Sequence, residues 1–388
     1  MRFLVILFLA VPALADEWVR VKLWSEDSLR LQVSGALHRL QRTESPLRTV
    51  SFPQKQQVTL QFDQGHWQVE GFRDHTLVFD QKYLALEGPD LEINGRRVPE
   101  KVLISVDHKK IQVIGVLALE KYIMGVLAHE MPSAWPLETL KAQAIATRSY
   151  TLAVMKERKN KPYHLESTVL DQVYSFLTDE ELKRRFDKIT ESVRATWGQV
   201  LVNSKNAVLK AYYHADCGGE TASAHETWAT KEELVSVQDS FCPQNPKGPW
   251  KLSLSEVEIA ERLRKWAPSG AQKIKLLKAE PFPGRLRVAQ VEVQWDQGEK
   301  RTLSASSFRE AMGFFDLKST QFKVQSQGGH WLFEGRGFGH GVGLCQWGSR
   351  YLGNQGWESK KILEHYYPKA QLKVLSAQLA DSKSQIPL

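Results

Sequence analysis

The period of the apolar pattern changes once along this chain, at about Val116, and that change restricts the fold more than any other feature. Before it, apolar residues alternate at period two, as in Trp18-Val19-Arg20-Val21-Lys22-Leu23-Trp24 and Val58-Thr59-Leu60-Gln61-Phe62. Short strands are predicted at Val102–Val106 and Ile111–Ile114, and Asn94-Gly95 is a strong hairpin-turn signal. After it, Leu119, Tyr122, Ile123, Val126 and Leu127 recur at helical spacing. The predicted fold class is α+β: mixed β-sheets with packed helices, preceded by a β-rich N-terminal region. The predicted divisions are 1–15, 16–115, 116–375 and a polar tail at 376–388.

The first helix should stop at Met131-Pro132, because a residue preceding proline disfavours the α region. A second should start near Pro136, a favoured early helix position, and run to about Arg158. Residues 160–175 read as a loop leading to a short strand, and 178–196 as one helix with an N-cap and an acidic first turn. A hairpin is predicted through Val200–Val202 and Leu209–His214. A helix over 253–266, β structure over 272–303, a short helix over 306–314, a glycine-rich strand over 335–343 and helices near 344–353 and 358–366 complete the chain. A length of 388 residues is ample for a hydrophobic core.

Residues 1–15 carry one positive charge at Arg2, an apolar run and Ala13-x-Ala15, the pattern of a secretory signal cleaved after Ala15. The run is too short for about 30 Å of hydrocarbon, so no transmembrane span is expected after cleavage. The protein is expected to be exported, to the periplasm or cell wall or as a secreted protein. The formal charge of +8 contains no long Lys/Arg block, which argues against nucleic-acid binding and suits a polyanionic surface such as a cell wall.

Four constellations could carry chemistry. Glu130 ends a predicted helix, where the helix dipole and partial burial beside Met131 and Trp135 would both raise its carboxyl pKa, as a general acid requires. A surface glutamate is the plain alternative. His129-Glu130 is not a zincin motif, because Ser133 stands where the second histidine would be. Arg148 falls on the apolar stripe of the second helix and must meet an anion there, through a site or a structural ion pair, with Gln143 on a neighbouring face.

The third is Gly335-Arg336-Gly337-Phe338-Gly339-His340-Gly341-Val342-Gly343, whose alternate glycines would bare one strand face to a packed element or a flat ligand such as a sugar. It lacks the spacing of a dinucleotide-binding loop. The fourth surrounds Cys217, after Tyr212-Tyr213-His214. It reads as a nucleophile beside His340 or His214, as half of a Cys217–Cys242 disulfide, or as a small metal site of Cys217, Cys242 and Cys345. No cofactor is expected beyond a structural zinc at those cysteines. Trp135, Trp228, Trp347 and Trp357 lie near these motifs and could stack on sugars or fill the core.

Taken together, these segments resemble the SpoIID/LytB family, stage II sporulation protein D and its relatives. The resemblance runs from Leu117–Tyr122 through Gly125-Val126-Leu127-Ala128-His129-Glu130-Met131-Pro132, Leu140–Tyr150, Asp171-Gln172-Val173-Tyr174 and His214–Gly219 to Gly337–Gly348. It implies a lytic transglycosylase acting on peptidoglycan glycan strands, in sporulating members on strands stripped of peptides. Glu130 matches the family's catalytic glutamate, and Arg148 is the second expected catalytic residue, positioning a substrate carboxylate or Glu130 itself. Arg148, Gln143, Gln172, Tyr174 and His340 match positions around its cleft, and His214, Gly218, Gly219 and Gln346 fall in the matched motifs as further expected substrate contacts. Many members carry Ser where this chain has Cys217 and Cys345. Two other readings stay open: a non-catalytic wall-binding module that activates a cell-wall amidase, and a cysteine-dependent peptidase or amidase, which needs an exposed Cys217.

Overall fold

The computed structural model describes residues 18–34, 39–42, 49–50, 57–72, 75–79, 83–230, 232–242, 245–246 and 248–375. The predicted signal segment and the polar tail lie outside them. The chain is α+β and divides into two compact units. One comprises residues up to Ser133, Tyr150–Val200 and those from Lys373; the other comprises Ala134–Ser149 and Leu201–Leu372.

The first unit contains two sheets. In the larger, the strand order is Leu165–Glu166, Trp18–Glu26, Lys110–Ala118, Lys101–Asp107, Tyr83–Glu87, Arg39–Arg42, Thr49–Val50. Only its first pair is parallel, so the sheet is mixed. The second is an antiparallel sheet in the order Arg96–Arg97, Glu92–Ile93, Arg30–Ser34, Val58–Asp63, His66–Phe72, His75–Phe79. Asn94-Gly95 makes the predicted tight turn, pairing Ile93 with Arg96. Period-two alternation buries one face of each sheet, and Val33, Leu60, Trp67 and Val69 join Leu84, Leu86, Ile104 and Val113 in one core.

The strand Lys110–Ala118 leads directly into helix α1, Leu119–Glu130. Helix α2, Leu137–Glu157, lends its first part to the second unit and its last turns to the first. Both helices have the expected limits, with Leu140 N–H donating to Pro136 O at 3.1 Å in the first turn of α2. The helix predicted over 178–196 is two, Asp179–Arg185 and Asp187–Ala195. A Thr178–Glu181 capping box starts the first, and Phe186, at φ −135° and ψ 33°, breaks the run between them. Among the described residues, no helix is long and apolar enough to cross a membrane.

In the second unit, the strands Pro249–Ser255, His330–Arg336 and Phe322–Gln327 form one small sheet, and Ile274–Pro281, Val288–Trp295 and Lys300–Ser304 another. Trp295, Phe308 and Phe333 share a core there. The helix predicted from 253 begins only at Glu256, because Ser255 acts as its cap and the residues before it pair with His330–Arg336.

The glycine-rich run is not a strand. Regular pairing ends at Arg336, and from Gly337 to Gly343 the chain lies against Tyr212–Cys217. Asp216 and Phe338 exchange backbone N–H···O bonds at 3.0 and 2.8 Å, and Leu344 N–H donates to Tyr212 O at 3.2 Å. A Cβ at Gly339 would stand 2.7 Å from His214 Cβ. These glycines therefore permit close packing within the unit and do not bare a face to a ligand.

The burial of His164 predicts that the first unit loses stability in acid. His164 Nδ1 accepts Arg20 N–H at 3.2 Å, and Arg158 donates to the His164 carbonyl at 2.8 Å. Burial, reinforced by Arg20 and Arg158, pushes its imidazole down to about 3. Since this lies below the unfolded value of about 6.5, the native state binds fewer protons than the unfolded chain. Stability is then full above pH ~6.5 and falls as the pH drops toward 3, by up to about 1.4 kcal/mol per pH unit. His164→Asn keeps an acceptor near Arg20 without the titration. Urea melts at pH 7.5 and 5.0 should show a larger acid loss for the wild type; equal losses would refute this role.

Candidate functional site

Glu130 is the last residue of α1. Met131 turns to extended backbone at φ −138° and ψ 143° ahead of Pro132, while its N–H still donates to Leu127 O at 3.0 Å. The half-exposed Glu130 accepts Val173 N–H on Oε1 at 2.9 Å. The residues flanking Val173 are Gln172 and Tyr174, so the structure brings three of the expected site residues together in the first unit.

That arrangement is held from beneath. Gln172 is buried, and its Oε1 accepts Tyr122 OH at 3.0 Å and Thr151 Oγ1–H at 2.9 Å. The Tyr122 and Tyr174 rings lie 5.0 Å apart, and burial drives both phenols well above their ordinary range, so both stay neutral donors. Arg158 grips Asp171 with two bonds of 2.7 and 3.1 Å, while Tyr150 OH and Glu166 N–H also donate to it. Gln172 Nε2 has no hydrogen-bond partner among the described residues, which is unusual for a buried amide.

Gly125 is needed here because a Cβ on it would lie 2.5 Å from Tyr174 Cε2 and 3.1 Å from Ser175 O. Gly125→Ala should displace the Tyr174 ring and lower stability by about 1–3 kcal/mol, the usual penalty of overpacking. A denaturant melt that matches wild type would contradict the close approach.

The remaining expected residues belong to the second unit. Gln143 and Arg148 on α2 are fully buried; Gln143 Nε2 donates to Thr147 Oγ1 at 3.1 Å, and its Oε1 has no partner among the described residues. Arg148, expected to position a substrate carboxylate or Glu130, has no accessible surface. His214 and His340 come together, their ring centroids 5.6 Å apart. His214 Nδ1 is 3.1 Å from Val342 O, which assigns it the proton, and burial with the nearby Arg287 charge pushes His214 down to about 3. Half-exposed His340 accepts Val342 N–H on Nδ1 and lies 5.0 Å from the Trp228 ring and 5.8 Å from Tyr212. Gln346, buried, opens the helix Gln346–Asn354. Gly218 and Gly219 form the turn after Cys217, where Gly218 N–H donates to Asp216 Oδ1 at 2.8 Å.

The cysteine-nucleophile reading fails. Cys217 is completely buried, so its sulfur is out of a substrate's reach. No disulfide joins Cys217 to Cys242; all three cysteines are free thiols.

Residues 107–203, which contain Glu130, Gln172 and Tyr174, match the stage II sporulation protein family, and 230–343 match a domain of unknown function. The chain is 30% identical to Stage II sporulation protein D of Bacillus amyloliquefaciens over 264 residues, covering 65% of this chain and 73% of that protein. The chain belongs to the stage II sporulation protein D family. Within the family it is 28% identical over 284 residues to the protein of the same name in Bacillus subtilis, covering 70% of this chain and 79% of that one. It is also 24% identical over 297 residues to the amidase enhancer of Bacillus subtilis, which covers 64% of this chain but only 40% of that protein.

What sequence reasoning missed in this family's matched region is the support around Glu130. The Val173 donor is a backbone N–H, which residue type cannot disclose. Tyr122, Thr151 and Arg158 read only as helix positions; Asp171 stood in a quoted motif without a role.

Proposed function

We propose that this protein is an exported peptidoglycan lytic transglycosylase with Glu130 as its general acid and base. Family membership, together with a relative named for enhancing an amidase, supports a cell-wall function. The observation that carries the enzymatic reading is the tethered carboxylate: Glu130 ends α1 with one oxygen held by Val173 N–H between Gln172 and Tyr174. The secretory pattern of residues 1–15 supports export.

Protonated Glu130 donates its proton to the glycosidic oxygen as the bond from muramic acid C1 to that oxygen breaks. The resulting carboxylate takes the proton of the C6 hydroxyl as O6 bonds to C1. The acid is regenerated, no water is consumed, and the product is a 1,6-anhydro-muramic end. The nucleophile is already tethered to the reacting ring, so the second carboxylate of ordinary glycosidases is unnecessary. Gln172 and Tyr174 position the Val173 backbone; Gln143, Arg148, His214 and Gln346 act from within their unit. His340 with Trp228 offers sugar contacts in the second unit, whereas the backbone groups of Gly218 and Gly219 are taken up within the fold by Asp216, Gln321, Cys217 and Asp239.

The test is mass spectrometry of peptidoglycan, intact and amidase-stripped, after digestion. Anhydro-muramic ends from either substrate support the reading; reducing ends would mean that water attacks. The similarity to an amidase enhancer favours one second reading, a wall-binding activator of an amidase. Faster stem-peptide release by an added amidase, with no glycan cleavage by the folded protein, would establish that reading instead.

A further inference from the structure

We infer that Cys217, Cys242, Cys345 and Asp239 form a structural zinc site inside the second unit. One atom from each side chain, three sulfurs and a carboxylate oxygen, lies within 4.8 Å of all the others, and all four residues are buried. A tetrahedral zinc with Zn–S bonds near 2.3 Å sets sulfurs about 3.8 Å apart, so closing on the ion requires shifts of about 1 Å or less. Sequence spacing conceals the set, because the ligands come from three separate segments: the turn after the strand Tyr213–His214, the loop Asp239–Cys242, and the residue capping the helix Gln346–Asn354.

The surroundings suit anionic sulfur. Cys217 N–H and Gly348 N–H point at Cys345 Sγ at 3.3 and 3.4 Å, and Gly219 N–H points at Cys217 Sγ at 3.4 Å. The carboxylate is oriented as metal ligands usually are, by a second set of donors: Asp239 Oδ1 accepts Phe241 N–H and Cys242 N–H at 3.1 and 3.0 Å, and Oδ2 accepts Tyr366 OH at 2.8 Å. Arg287, buried, donates to Cys217 O at 2.8 Å and brings positive charge beside the cluster. Three thiolates and one carboxylate in a closed pocket are a zinc set, since nothing in it favours square-planar or octahedral ions.

As the three Zn–S bonds form, three thiol protons leave to solvent and no electrons move. The ion clamps the Cys217–Gly219 turn to the loop at Asp239 and to the start of the helix at Gln346. It is independent of catalysis at Glu130.

The full chain, purified under reducing conditions without chelator, should contain one zinc per molecule by elemental mass spectrometry. Removal with a strong chelator should expose three thiols to a chromogenic disulfide reagent and lower Tm by about 10 °C, restored by added zinc alone. Replacement by cobalt should produce thiolate-to-cobalt charge-transfer bands and the intense visible bands of a tetrahedral site, and Asp239→Asn should alter the visible bands while keeping the charge transfer. Substoichiometric metal together with no response of Tm to zinc would overturn the site. So would a mass two protons low that identifies a disulfide among these cysteines.

Discussion

Glu130→Gln should abolish measurable formation of anhydro-muramic ends, a loss of roughly 10²–10⁴-fold in kcat, the range for removing a positioned general acid and base. Tm should stay near wild type, because the amide oxygen can still accept Val173 N–H at the position Oε1 holds, and Glu130 is half-exposed. KM should change little if the group acts on the transition state and not on binding. Glu130→Asp retains the acid but withdraws it by one methylene, and should recover only part of the rate. Near wild-type cleavage by folded Glu130→Gln would remove Glu130 from the chemistry, and the amidase-activating reading would then take precedence.

Gly343→Ala should be strongly destabilising in the second unit. Gly343 sits at φ +73°, where an L side chain is strained by about 1–2 kcal/mol. Its Cβ would also run into the carbonyl of Tyr212, a backbone group that cannot rotate away. That carbonyl is held in place by two donors, Tyr367 OH at 2.6 Å and Leu344 N–H at 3.2 Å. We expect a loss of about 3 kcal/mol or more, some 6–12 °C in Tm. Gly328→Ala provides the control: its φ of +58° carries the conformational term, but nothing stands within 4 Å of the added carbon. Gly328→Ala should cost about 1–2 kcal/mol, and equal losses at the two sites would show that packing against Tyr212 contributes nothing.

The local elements were legible wherever a short-range rule governs. Met131-Pro132 ends α1 because proline restricts the residue before it, and Thr178 and Glu181 start a helix because the capping box is local chemistry. The failures have a common origin. At 178–196, no glycine or proline marks the break at Phe186, and Asp187 at the start of the next helix is too weak a signal to end the run. At 335–343, alternate glycines satisfy strand periodicity equally well as a strand or as a kinked segment, and the choice depends on what lies across from them, here Tyr212–Cys217.

For the site, the division is similar. The sequence alone determined the α+β class, the end of α1 at Glu130, and motifs specific enough to indicate a family, because periodicity, proline and spacing act over a few residues. Only the tertiary structure decided that Val173 N–H holds Glu130, that Arg148 is wholly enclosed, and that Cys217 is no accessible nucleophile. It alone gathered Cys217, Cys242 and Cys345 around Asp239. These are meetings of residues tens to more than a hundred positions apart. Burial and hydrogen bonding across such distances follow from how the whole chain packs, which no local pattern encodes.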